Sequence, residues 1–232
     1  MDNLLKFYEQ ELSADGFYQL LNSKLAEAPN QYNANNLLLG KIHSQNNSTE
    51  SVEMPLVDKG DVRFDMPILI GNKNAKERIL ILGLEPRHTD DFYNIMKVKN
   101  RVYATPFGID RWYSKSKQSI YASAFKNFLS DDRLFLFSDF VKEYNVIDPN
   151  LKNQNDQQAR QNFQELFEGK YKNILKQEIQ LFKPTRIIGL GKTDIRKKIP
   201  SHLLSEYAIN VISHPTNGNF NKMINEMKAL FN

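Results

Sequence analysis

Apolar positions recur at helical spacing in the first part of the chain. Leu4, Leu5, Tyr8 and Leu12 form one stripe, and Phe17, Leu20, Leu21 and Leu25 form a second beyond the Ala14-Asp15-Gly16 break. This pattern predicts helices across roughly the first 45 residues. A polar stretch, "HSQNNSTESVE", then leads to "MPLVDKGDVRFDMPILIG", whose alternation and Gly/Asp turns predict a short extended segment or a hairpin. From residue 78 the rhythm changes to four short runs rich in Ile, Leu and Val: "RILILG" (78–83), "RLFLFS" (133–138), "RIIGLG" (186–191) and "INVISH" (209–214). Runs of this kind without polar alternation read as strands buried on both faces. Helical patterns lie between and after them: Ile120, Tyr121, Ala124, Phe125 and Phe128; Phe163, Leu166, Phe167, Ile174, Leu175 and Ile179; and a closing stripe of Met223, Ile224, Met227 and Leu230. Strands alternating with helices predict an α/β fold of three layers, α/β/α, around a four-stranded parallel sheet.

Length and composition fit that picture. The chain has 232 residues, 41% of them hydrophobic, enough for one sizeable core. The expected organisation is a single domain over 1–232, with 1–60 as a helical N-terminal extension packed on it. No apolar run is long enough to cross a bilayer, and "MDNLLKFYEQELSADG" carries acids where a secretory signal would be basic and then apolar, so a cytoplasmic protein without membrane contact is expected. The absence of cysteine excludes disulfides, thiolate metal sites and cysteine nucleophiles, leaving oxygen and nitrogen groups for any chemistry. A net charge of +4 and a pI near 9.0 permit a polyanionic partner without requiring one.

In parallel sheets ligands bind beyond the carboxyl ends of the strands. Those ends read Glu85-Pro86-Arg87-His88, Ser138-Asp139, Gly191-Lys192-Thr193 and His214-Pro215-Thr216. Each has an ordinary structural explanation. Glu85 and Asp139 can cap helices that follow their strands, and His214 can be a hydrogen-bonded core residue. "GLGKT" lacks the G-x-x-x-x-G-K-[ST] spacing of a nucleoside-triphosphate loop. Trp112 and its neighbours in "YATPFGIDRWY" can be core and turn.

Taken together, "GLEPRH", "SDFVK", "GLGKT" and "SHPT" resemble, in order and approximate spacing, the motifs of the uracil-DNA glycosylase superfamily, over about residues 78–220. The resemblance implies a DNA glycosylase that hydrolyses the N-glycosidic bond of uracil or a related damaged base in base-excision repair, with DNA as partner, as a monomer, and with neither metal nor cofactor. It places Glu85 where active members keep an Asp that orients or activates water, and His214 where a His donates to the base's developing negative charge. Phe107, or else Tyr103, falls where an aromatic stacks on the extruded base, Asp139 near a base-reading Asn, and Thr216 near a phosphate-holding Ser. Leu84, Pro86, Arg87, His88, Lys192 and Pro215 complete the implied substrate-binding rim, with Arg87, Arg111, Lys115, Lys117 and Lys192 facing phosphates.

The residue types suit that chemistry. A flipped base needs a stacking surface, and a breaking glycosidic bond needs groups matched to a cationic sugar and an anionic base. Three departures stand out. Arg87 replaces the Tyr that excludes thymine in the most uracil-specific branch, Asp139 is a carboxylate where an amide is expected, and no Pro-Leu wedge follows "SHPT". Arg87 and Asp139 keep open the alternative of a nucleic-acid-binding protein with this fold but altered catalysis; a nucleoside hydrolase is a third reading.

Overall fold

The computed structural model describes residues 1–19, 62–85, 102–104, 124–125, 127–145, 161–215 and 218–231. In chain order the elements are α1 (Asp2–Glu11), β1 (Val62–Met66), β2 (Ile68–Gly71), β3 (Glu77–Gly83), β4 (Val102–Ala104), β5 (Arg133–Asp139) and β6 (Glu143–Asn145). A long helix follows over 161–182, with a π turn at Phe167–Tyr171 leading into α2 (Lys172–Phe182). Then come β7 (Arg186–Leu190), α3 (Lys192–Lys198), α4 (Ser201–Glu206), β8 (Ile209–Ile212) and α5 (Phe220–Phe231).

The four apolar runs are parallel neighbours in the order β5-β3-β7-β8. Ile79 to Leu82 of the central β3 are fully buried, as expected for a run without polar positions. Alternate side chains along β5 meet helices on opposite faces. Ser138 bonds Glu178 of α2, whereas Phe135 and Phe137 pack on Phe125, and Phe135 also on Phe231 of α5. The sheet differs from the expected one in having five strands, because β2 adds an antiparallel edge beside β5.

Of the segment expected as an extended run or hairpin, residues 62–71 are described; they are extended, and β1 and β2 do not pair with each other. Its two strands join different sheets: β2 pairs with β5, while β1 lies between β4 and β6 in a three-stranded sheet. Pro67 separates them; it offers no N–H to a ladder, and its carbonyl accepts a bond from the Tyr18 hydroxyl at 2.6 Å. Helices α3 and α4, each burying a single apolar residue (Ile195 and Leu203), were not marked by any apolar stripe.

Of the proposed extension, α1 packs on α2, with Leu4, Phe7 and Tyr8 buried; residues 20–61 lie outside the described part. At the amino edge of the sheet, Glu77 pairs with Arg133 (2.7 Å) and Arg186 (3.6 Å), and both guanidiniums lie over the ring of Phe231. Among the described residues, no helix is long and apolar enough to cross a membrane.

Candidate functional site

Strand register sets the carboxyl rim. Gly83 pairs with Asp139, Leu82 with Gly189 and Leu190 with Ile212, so the four parallel strands end at nearly one level. The chain therefore leaves the sheet on one edge at Leu84-Glu85, Asp139-Phe140, Gly191-Lys192 and Ser213-His214. With strands about 4.8 Å apart, Glu85 and His214 follow strand ends separated by about 10 Å. This places Leu84, Glu85, Asp139, Lys192, His214 and Pro215 along one edge of the sheet. Pro86, Arg87, His88, Phe107, Arg111, Trp112, Lys115, Lys117 and Thr216 lie outside the described residues; Tyr103 is described only by its backbone in β4.

Each exit is held by a specific partner. Glu85 is nearly buried, its side chain 7% exposed, and its Oε1 accepts a 2.8 Å bond from Lys198 Nζ. Lys198 closes α3 and also lies over the Phe163 ring, 4.5 Å from its centre. His214 sits near the other end of that helix. A Cβ built on Gly191 would lie 4.0 Å from His214 Cδ2, and Gly191 has the positive φ of +109° that favours glycine. Burial pushes the His214 imidazole below the usual histidine range, opposed by the nearby Asp194 carboxylate. The imidazole is therefore neutral at pH 7, with one ring nitrogen able to donate and one to accept. Glu85 and His214 thus stand near opposite ends of α3, a helix about 10 Å long at 1.5 Å per residue.

Glu226 of α5 secures the last two exits. Its Oε2 accepts the Ser213 N–H at 2.6 Å, and its Oε1 lies 3.9 Å from Lys192 Nζ. The Gly191 N–H also donates to the Ile212 carbonyl at 3.0 Å. At the β5 exit, the Phe140 and Val141 N–H groups bond the carbonyls of Gly83 and Leu84, which ties the first two rim turns together.

Asp139 is 2% exposed. The helix cap considered for it does not apply, because β5 passes through 140–142 directly into β6. Beneath it lies a polar cluster that no sequence pattern indicated. Lys142 and Glu178 are both fully buried, with Nζ and Oε1 3.4 Å apart. Lys142 also donates to the Asp139 carbonyl at 2.8 Å, and Glu178 Oε1 accepts from Ser138 at 2.6 Å and from the Tyr8 hydroxyl. Burial, then the Glu178 charge, holds the Tyr8 hydroxyl protonated and so fixes it as the donor. Every member of this cluster has a complementary partner, the condition for polar groups to persist in a core.

On the flank of the rim, the π turn carries Tyr171, whose hydroxyl donates to Glu143 of β6 at 2.6 Å; burial and that carboxylate raise its pKa. The same turn stacks Phe167 near Phe163 and Phe140, forming an aromatic wall beside the Glu85–Lys198 pair. Lys198 and Glu226 at the rim, and Glu178 and Lys142 in the cluster beneath it, are the residues that sequence reasoning missed. Among the described residues, no group of His, Asp and Glu is arranged to hold a metal ion. No family model, curated protein or solved structure matches the chain.

Proposed function

We propose that the protein is a DNA glycosylase with a uracil-DNA glycosylase-like fold, acting on a damaged or deaminated base. The observation that carries this reading is the placement of Glu85, Asp139, Lys192 and His214 at the exits of four parallel strands, along one carboxyl rim of the sheet. In the proposed reaction water adds to C1′ of the nucleotide and the C1′–N bond breaks, its electron pair leaving with the base. Glu85 orients the water and accepts its proton. Neutral His214 donates a hydrogen bond to the base as it becomes anionic. A donor preset toward developing charge contributes about 3–4 kcal/mol. Asp139 reads the pairing edge, where an ionised carboxylate accepts from an N–H but opposes a neighbouring carbonyl. This disfavours uracil unless Asp139 enters protonated.

The test is a panel of oligonucleotides carrying uracil, hypoxanthine, xanthine or a thymine mismatch, with alkali cleavage revealing abasic sites. Cleavage of at least one member is expected, with Asp139→Asn raising uracil excision at neutral pH relative to the unmutated protein. Efficient uracil excision at pH 8 that the Asn variant does not improve would remove Asp139 from the base edge.

A second reading, a nucleic-acid-binding protein of this fold without catalysis, is favoured by the ion pair that already occupies Glu85. It predicts retention on DNA with no member of the panel cleaved. Turnover of a free nucleoside without DNA would instead mark a nucleoside hydrolase.

A further inference from the structure

We propose that Lys198 is a positioning residue for Glu85, fixing one carboxylate oxygen so that the other is the acceptor for the attacking water. The inference rests on the glycosylase reading. It starts from a 2.8 Å charge-assisted bond between two side chains only 17% and 7% exposed. Such a bond is short, directional and poorly screened by water. Glu85 lies two residues beyond the end of β3, and its carboxylate has several torsions to lose; Lys198 supplies the constraint. Lys198 is itself constrained, since its ammonium lies over Phe163 and its backbone carbonyl accepts from Gln164 Nε2 at 2.8 Å. The anchor therefore runs from the 161–166 helical turns through the end of α3 to the first rim turn.

The pair also changes what Glu85 contributes. With an ammonium on Oε1, the two groups together carry almost no net charge, so attraction to a cationic sugar a few ångströms away is weak. What remains is the hydrogen-bonding capacity of Oε2, and its value depends on placement. A misplacement of about 1 Å in a reacting group costs on the order of 100-fold in rate. Lys198 thus gives up part of Glu85's attraction for the cationic sugar and contributes instead through the orientation of the nucleophile.

Two double-mutant cycles test this with Glu85→Gln and Lys198→Met. In thermal unfolding, each single variant is expected to melt several degrees below the unmutated protein, and the double variant no lower than the worse single one. Additive losses would mean that the pair does not form in solution, and the proposal would fall. The second cycle uses single-turnover cleavage of the oligonucleotide on which the unmutated protein is most active, with affinity measured on an abasic-site duplex. Lys198→Met is expected to slow cleavage by about 10- to 100-fold with affinity within two-fold, Lys198→Arg to recover part of the rate, and Lys198→Met to add nothing once Glu85 is Gln. An active protein whose Lys198→Met variant cleaves at full rate would overturn the positioning role while leaving the glycosylase reading intact. If the unmutated protein cleaves no member of the panel, the glycosylase reading fails, the positioning role falls with it, and coupled melting then marks a purely structural pair.

Discussion

Glu178→Gln is expected to lower stability by about 3–5 kcal/mol, a fall in Tm on the order of 10 °C for a chain of this size. The substitution keeps the shape of the side chain and most of its hydrogen-bonding capacity. What it removes is the charge opposite Lys142, leaving a fully buried ammonium without its paired carboxylate. Lys142→Met should cost a comparable amount, since it strands the carboxylate instead. Replacing both with apolar residues should recover much of the loss, because the desolvation of the two ions is then avoided together. Tyr8→Phe deletes one bond to a charged acceptor and is expected to cost about 1.5–3 kcal/mol. The exposed pair Lys172–Glu168, spaced i,i+4, serves as the control: removing it should change stability by less than about 0.5 kcal/mol. Urea and thermal unfolding measure all five variants. A Glu178→Gln protein that melts with the unmutated one would mean that the core around Lys142 admits water and is not the closed cluster described. The cluster also joins α1, α2 and the β5 exit, so amide exchange at Phe140 and Val141 should quicken in these variants.

The strands were legible because burial on both faces leaves a continuous apolar signature, and the rim followed from them since parallel strands deliver their ends to one edge. The long helix over 161–182 and α5 were legible for a related reason: each turns an apolar stripe to the core. What the sequence hid is how the rim is held. Glu178, Lys198 and Glu226 sit in helices, where a charged residue reads as part of the solvent face, and nothing local distinguishes a Glu that bonds a rim turn from one that meets water. Tyr8 looked like one more member of an apolar stripe, although its hydroxyl reaches Glu178, 170 positions away. The extended character of β2 was legible but its antiparallel pairing with β5 was not, because an edge strand of four residues carries no information about its partner. Its separation from β1 depends on Pro67, which in sequence was equally compatible with a turn. Short helices such as α3, burying only Ile195, fall below the periodicity that a stripe needs.

His214→Gln is expected to reduce the rate of base excision by about 100- to 1,000-fold, the usual loss when one donor to a developing anion is removed. Affinity for an abasic-site duplex should stay within about two-fold, because the bond strengthens only as the base acquires charge. A second consequence can be read without any substrate. Burial lowers the folded-state pKa of His214 more than Asp194 raises it, so the unfolded chain takes up this proton first as pH falls. The sign follows directly. Above the unfolded value of about 6.5 both states are neutral and the group contributes nothing. As pH falls through that value the unfolded state binds more protons, so stability drops until the folded imidazole also titrates. The unmutated protein should therefore lose Tm between pH 7.5 and pH 5.5 more steeply than His214→Gln, which lacks the titrating group. Asp194→Asn should steepen the loss further, since it removes the carboxylate that opposes burial. Parallel Tm profiles for the unmutated and Gln proteins would mean that His214 titrates alike in both states. In that case it is solvated, and its assignment as a neutral donor preset at the rim is wrong.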